Sequence, residues 1–411
     1  MGSIVAFLID IHEISKPYLR TGHYPTGVLD FSVLKNDMEM LLRVKWICAQ
    51  GKGVSKMPVF LQFIIRRMLL IPVSLFIITL VLYGGVMLTP PEARATIYMQ
   101  DTNRQLTEEQ TQRMLAVIVR NHHLEDPLPI QYAYWIKNLI AGSWGYSPSL
   151  GEDVLPALLS RTPATAELTL FSLILFVPLG LLIGVISGWR QNGWFDTGFR
   201  GMAFLGTSIP PFILALIFLA VFYVRLGWFA PTRLSYQTRF EIREETYKKP
   251  TGFITIDALV NGRYDIFGEA LRHLAMPALT LSLFHWATLG RLIRSTIIET
   301  REKEYITSAR ARGFVERRVL WRHAFRNALA PALTSMGLSA AALLTGVYVV
   351  EIIFVINGVS EVITNAMGGI PDAPAALGFA VYSVVIVLVL MFILDVLQAI
   401  LDPRVRSELL R

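Results

Sequence analysis

The side chains of this 411-residue sequence that could do chemistry are unevenly spread, and the densest group is basic. From Glu304 to Pro331 the chain reads EYITSARARGFVERRVLWRHAFRNALAP, where Arg310, Arg312, Arg317, Arg318, Arg322 and Arg326 have only Glu304 and Glu316 as nearby acids. Gly313 follows a short helical run, where a C-capping glycine falls. Val315, Val319, Leu320, His323 and Ala324 then recur at spacings of three and four, the period of a second helix. Pro331 stands at the start of the next apolar run. The stretch cannot cross a bilayer, because each arginine at the centre costs about 2.5–3.5 kcal/mol on insertion scales. Its chemistry is recognition by charge. It could fix topology, lie on anionic lipid as an amphipathic helix, or dock a soluble partner. The glycine turn between two helices favours docking, since an insert into a groove needs a compact, defined shape.

Catalytic constellations are absent. No G-x-x-x-x-G-K-[ST] sequence cradles a nucleotide phosphate, and no H-E-x-x-H or G-x-S-x-G is present. One cysteine, Cys48, leaves no disulfide framework, and the scattered histidines give no metal cluster. His122 and His123 are adjacent and so do not share a helical face. No cofactor is expected. Two acids stand inside apolar runs. Glu351 either faces a bundle interior or cavity, as intramembrane carboxylates do, or sits near an outer end and reaches water. Asp395 reads as a helix-packing or inter-subunit hydrogen-bonding group. Arg291 and Arg294 are expected to snorkel to the inner interface.

These groups must be held by apolar elements. Several windows of about 20 residues are nearly charge-free, the length that spans hydrocarbon, so the chain is an all-α, polytopic membrane protein. Spans are expected near Met68–Leu88, Ala166–Trp189, Met202–Val224 (broken at Pro210–Pro211), Ala275–Ile297, Ala332–Ile356 and Ala376–Leu401. The fifth is rich in small residues such as Gly337 and Gly346, which let helices pack closely. The loop 298–331 is heavily basic, whereas 357–375 carries no Lys or Arg, so the first lies inside and both termini are cytoplasmic. The net charge of +7 lies largely beside apolar runs and does not point to nucleic acid. The chain therefore divides into 1–56, an extension expected to be dispensable; 57–89, the first membrane helix; 90–165, an external region; and 166–411, the membrane core with the 298–331 loop.

At this point the residues resemble a family. Glu304-Tyr305-Ile306, Ala309-Arg310-Ala311-Arg312-Gly313 and His323-Ala324-Phe325-Arg326-Asn327-Ala328 with Pro331 are similar to the EAA loop of binding-protein-dependent ABC importer permeases of the dipeptide, oligopeptide and nickel type. Ser143-Trp144-Gly145, Ser208-Ile209-Pro210-Pro211-Phe212 and Asp402-Pro403-Arg404-Val405-Arg406 also fit, in the subunit type with the longer first external loop. The likeness departs after Glu351, where Asn357-Gly358-Val359-Ser360 replaces the usual Pro-Gly-x-Gly, and in the last span at Met391 and Gln398.

The resemblance implies a six-helix type I permease fold in the plasma (inner) membrane, forming half of a translocation pore for peptides or a similar small solute. It implies two cytoplasmic ABC ATPases, a second homologous permease and an external solute-binding protein as partners, with ATP hydrolysis in a separate chain. Glu304, Tyr305, Ala309, Arg310, Ala311, Arg312, Gly313 and Arg326 would then meet the ATPases, and Ser208, Pro210, Gly346, Glu351 and Asn357 are candidates for the translocation path. The competing readings are a membrane scaffold or receptor that binds without transport, and an intramembrane enzyme, against which the missing constellation speaks.

Overall fold

A helix that is apolar all round belongs in hydrocarbon or in a core, and the first described helix, α1 (Val59–Val86), is of that kind beyond Arg66 and Arg67. The computed structural model describes residues 59–88, 90, 91, 94, 108–121, 124–244, 247–368 and 372–401. The expectations for 1–56, for His122 and His123, and for the basic C-terminal residues lie outside them. The chain divides into Met1–Gln62 and Phe63–Arg411. Only the opening turn of α1 is described in the first unit; the other elements belong to the second. Along α1 only Phe63, Thr79 and Tyr83 are buried, while Met68, Leu69, Phe76, Ile77 and Val81 are exposed.

The region expected outside the membrane carries α2 (Glu108–Asn121), α3 (Leu128–Ile140) and a short antiparallel hairpin, β1 (Tyr146–Ser147) and β2 (Glu152–Asp153). Tyr146 pairs with Asp153 and Ser147 with Glu152. α4 (Val154–Trp189) starts at Val154, well before the expected Ala166, because Pro163 is accommodated inside it. The third span is broken as expected: α5 (Trp194–Ser208) and α6 (Pro211–Phe218, continued by a π-type turn Leu219–Arg225) meet at 100°. Two short helices, α7 (Tyr236–Glu241) and α8 (Ile254–Val260), precede α9 (Tyr264–Arg301). Then come α10 (Glu304–Ala311), a helical segment Glu316–Arg318 that winds through a π-type turn Val319–Ala324, α11 (Phe325–Ile353), α12 (Ser360–Ala366) and α13 (Ala373–Leu401). Pro331 lies inside α11.

Among the described residues, α1, α4, Glu316–Ile353 and α13 are long and apolar enough to cross a membrane, and the bent pair α5–α6 makes a fifth crossing if its two arms are one span. The fourth expected span, Ala275–Ile297 within α9, contains His285, Arg291 and Arg294 and is less apolar than these. It is instead the helix that its neighbours cover, packed against α4, α5, α6 and α11. Polar groups in a span are tolerated where they face the bundle interior.

The α4–α9 seam is set by glycines. A Cβ at Gly184 would stand 2.6 Å from the Gly290 carbonyl oxygen, and one at Gly188 would stand 2.7 Å from that of Arg294. Gly180 presses on Leu289 in the same way, at 2.9 Å. Glycines at every fourth position share one face of α4, so the two backbones touch along that face.

Candidate functional site

The basic stretch folds as a helix, a turn and a second helix. Glu304 sits in the first turn of α10, where a carboxylate suits the helix dipole. Ile306 and Ala309 face inward and join Val319, Leu320 and Ala324 in the main core. Gly313 closes the helix with φ +79°, the left-handed conformation its position predicts. A Cβ there would meet no atom of this chain within 4 Å.

The turn is stapled from within. The Phe314 ring stacks on His323 (centroids 5.7 Å apart), and Arg318 lies over the same ring at 4.6 Å. Asn327 Nδ2 donates to the Tyr305 hydroxyl (3.0 Å) and to the His323 carbonyl (2.9 Å). Arg310 pairs with Glu316 across the glycine (2.8 Å). His323 and Asn327 thus give the turn its shape, a role their spacing alone did not reveal.

What remains outward is Glu304, Tyr305, Ala311, Arg312, Gly313, Val315, Arg317 and Arg326, all exposed. Val315 is 68% exposed, although its spacing fits the second helix. Ala309, at 4% exposure, belongs to this chain's own core. Ala309→Asp therefore acts on folding: an ionised carboxylate buried without a partner costs several kcal/mol. We expect the variant to lower the melting temperature of the purified protein and to open the loop to trypsin at Arg310 and Arg312. A variant with unaltered melting and protease resistance would place Ala309 on an outer face instead.

The loop is fastened to the membrane helices beside it. Arg301, at the end of α9, donates to the carbonyl oxygens of Trp189 (2.9 Å) and Gly188 (3.4 Å), the last residues of α4. The guanidiniums of Arg301 and Arg310 both lie over the Trp189 indole, at 5.5 Å and 5.4 Å. Arg294 does not snorkel. It forms a two-point ion pair with the fully buried Asp196 of α5 (2.5 and 2.8 Å), which also accepts from Ser187 of α4 (2.5 Å). Arg291 is exposed. Asp395 pairs with Arg67 of α1 (3.0 Å), so its role is helix packing within the chain.

The opposite end holds the other candidates, and they do not form one cluster. Ser208 ends α5 and bonds back to the Phe204 carbonyl (2.7 Å); Pro210 is exposed at the bend. Gly346 is half-buried beside Leu281, and exposed Asn357 turns to Glu361 (3.4 Å). Glu351 does not reach water: it is fully buried. Its Oε2 accepts from the Ser360 N–H (3.1 Å), fixing the turn into α12. Gly358 packs so tightly on this carboxylate that a Cβ would overlap it, which accounts for the glycine kept where the sequence otherwise departs from Pro-Gly-x-Gly.

Reading the sequence did not find the polar ties around this end. Glu167, buried in α4, pairs with Arg233 (2.5 Å) and accepts from the Thr255 N–H (2.8 Å) and hydroxyl (2.6 Å). Arg161 bridges Glu152 (2.9 Å) and Glu361 (3.0 Å). Asp372 accepts from Ser147 (2.5 Å) and Ser149 (2.8 Å) and so holds the hairpin to the start of α13. The signal for Glu167 was present: a carboxylate inside an apolar run needs a partner.

Comparison with known proteins gives a family and several relatives. Residues 180–407 match the family described as binding-protein-dependent transport system inner membrane component. A dipeptide transport system permease protein of Alkalihalophilus pseudofirmus is 30% identical over 346 residues, covering 84% of this chain and 99% of the relative. A di/tripeptide transport system permease protein of Pseudomonas aeruginosa is 31% identical, with 85% and 99% covered. An oligopeptide transport system permease protein of Bacillus subtilis is 33% identical, with 84% and 98% covered.

Proposed function

The chain belongs to the binding-protein-dependent transport system inner membrane components, and from that membership we propose that it is one of two permeases in an ATP-driven peptide importer. It is a multi-pass membrane permease subunit and not an enzyme. Peptides are the cargo named for its relatives, which favours them over nickel. ATP hydrolysis belongs to two cytoplasmic ATPases, and an external binding protein delivers the peptide to a pore shared with a second, homologous permease.

The observation that carries this reading is the shape of the basic loop. Its inner face is consumed by the chain's own core and staples, while Val315, Arg312 and the open side of Gly313 stay uncovered. A loop serving only as a topology signal has no need of a preorganised outer face. Preorganisation lowers the ordering cost of binding a partner, so the outer face fits a groove on an ATPase. ATP-driven closure of the ATPases would move α10, and the rigid helices joined to it would carry the motion to the gate, as in two-state packing of transporter bundles.

The test is reconstitution of the chain with its ATPases, partner permease and binding protein in proteoliposomes. Labelled dipeptides, tripeptides and longer peptides should accumulate only with ATP, and nickel should not. A complete complex that accumulates none of the peptides refutes the proposal. Orientation has its own check, in a Cys48→Ala background. Met367, 80% exposed in the loop with no basic residue, and Glu316, whose side chain is 57% exposed in the basic loop, lie on opposite sides in this topology. An impermeant maleimide applied to whole cells should label Met367→Cys at once and Glu316→Cys only after permeabilisation. The reverse pattern inverts the topology.

A further inference from the structure

α10 is continuous with α9 through Glu302 and Lys303, so movement of α10 reaches α9 along the chain itself. α4 has no such connection, yet it is the helix packed most extensively on α9, and in the half away from Trp189 it carries the buried Glu167 that holds the outer segments. We propose that Trp189 is the positioning residue through which α10 grips α4, acting through the guanidiniums of Arg310 and Arg301. This rests on the reading of α10 as the element that meets the ATPases.

Three features converge on this indole. Trp189 is the last residue of α4, where unpaired carbonyl oxygens give a helix end its partial negative charge. Arg301 takes two of those carbonyl oxygens, those of Gly188 and Trp189, while its guanidinium lies 5.5 Å from the indole centroid. Arg310, the second cation over the ring at 5.4 Å, is aimed by Glu316, which stands beyond Gly313 in the following segment. The chain Glu316–Arg310–Trp189 therefore joins both arms of the docking turn to a helix that is not next to either in sequence.

The chemistry suits a moving joint. A cation over an aromatic face is attracted to the ring quadrupole across a broad area, so a guanidinium can slide over the indole as α10 tilts without losing the contact. Below this joint the chain has little to slip: α4 and α9 touch backbone to backbone at Gly184 and Gly188, and Asp196 locks α5 to Arg294. A tilt at α10 is thus delivered to α4 as a shift of the whole helix.

The quantity to measure is the number of ATP molecules hydrolysed per peptide imported by the complete complex in proteoliposomes. With Trp189→Leu this ratio should rise by about threefold or more, the size expected if a cation–π contact is lost from the linkage. Trp189→Phe, which keeps an aromatic face, should return the ratio close to that of the native complex. Arg310→Gln, which removes the second cation from the indole at an exposed position, should raise it as Trp189→Leu does. A purely structural defect lowers hydrolysis and import together and leaves the ratio unchanged. An unchanged ratio in Trp189→Leu or in Arg310→Gln, or a Phe variant no better than Leu, overturns the proposal. A native complex that imports no peptide overturns the proposed peptide importer instead, and ATPases that bind undiminished to Gly313→Val overturn the reading of α10.

Discussion

Gly313→Val is expected to leave the membrane protein inserted and folded but to strip it of its ATPases and of uptake together. Gly313 has φ +79°, and a β-branched residue in the left-handed region is strained. The cost of that conformation is about 1–2 kcal/mol per residue. Nothing in the chain lies within 4 Å of the added Cβ, so the core below the turn is undisturbed and the fold has no steric reason to fail. The strain is relieved by reopening the turn, which moves the outer face formed by Arg312, Gly313 and Val315. If all of it appears as lost docking, binding of the ATPases weakens about five- to thirtyfold. The new side chain also projects into the space a partner would occupy, so the true loss is larger. Co-purification of the ATPases and ATP-dependent peptide uptake check the expectation. Full retention of both would reduce the 304–331 stretch to a topology signal. Gly313→Ala separates the two causes: it adds the smallest side chain while keeping much of the strain, so a loss similar to that of valine assigns the effect to the backbone.

The sequence made the docking loop legible because its signals are local. A glycine after a short helical run, with helical spacing resuming beyond it, specifies a left-handed turn, and that turn is found. The two-helix shape and the break at Pro210–Pro211 were readable for the same reason. Partner choice was not. Ala309 carries no mark that distinguishes a core-facing alanine from one facing a partner's groove, and only tertiary contact assigns it inward. Val315 fits the helical spacing yet lies outside the helix as its N-cap, where the backbone is extended and the face is lost. Arg294 was misjudged, and for Glu351 the sequence left the buried and the water-reaching positions undecided, for a common reason. A charged residue near the end of an apolar run is expected to reach water, but the turn at Gly358 covers the first and Asp196, from another helix, pairs with the second. Ion pairs of that kind join residues far apart in sequence and leave no periodic trace. The translocation candidates suffer most, since Ser208, Gly346 and Asn357 stand on separate elements.

Gly184→Val is expected to be the most damaging single substitution in the membrane core. The added Cβ would stand 2.6 Å from the Gly290 carbonyl oxygen and 2.8 Å from the Ile293 Cβ. Both helices are long and continuous, and the Gly290 oxygen is backbone, so neither atom can turn aside as a flexible side chain could. The helices must separate, and neighbouring contacts at Gly180 and Gly188 open with them because all three glycines share one face. Overpacking of a well-filled interior costs about 1–3 kcal/mol, and lost dispersion contacts along the seam add to it. Close backbone approach is a main source of helix association in lipid, where burial of apolar surface gives no drive. The expected result is a sharp fall in the yield of monodisperse protein and in its melting temperature in detergent, with Gly184→Ala intermediate. Gly198→Ala is the control: no atom lies within 4 Å of its Cβ, and alanine is the better helix former, so stability should hold or rise. If Gly184→Val melted like the native protein, the α4–α9 seam could not be the rigid member that carries motion from the basic loop to the far end of the bundle.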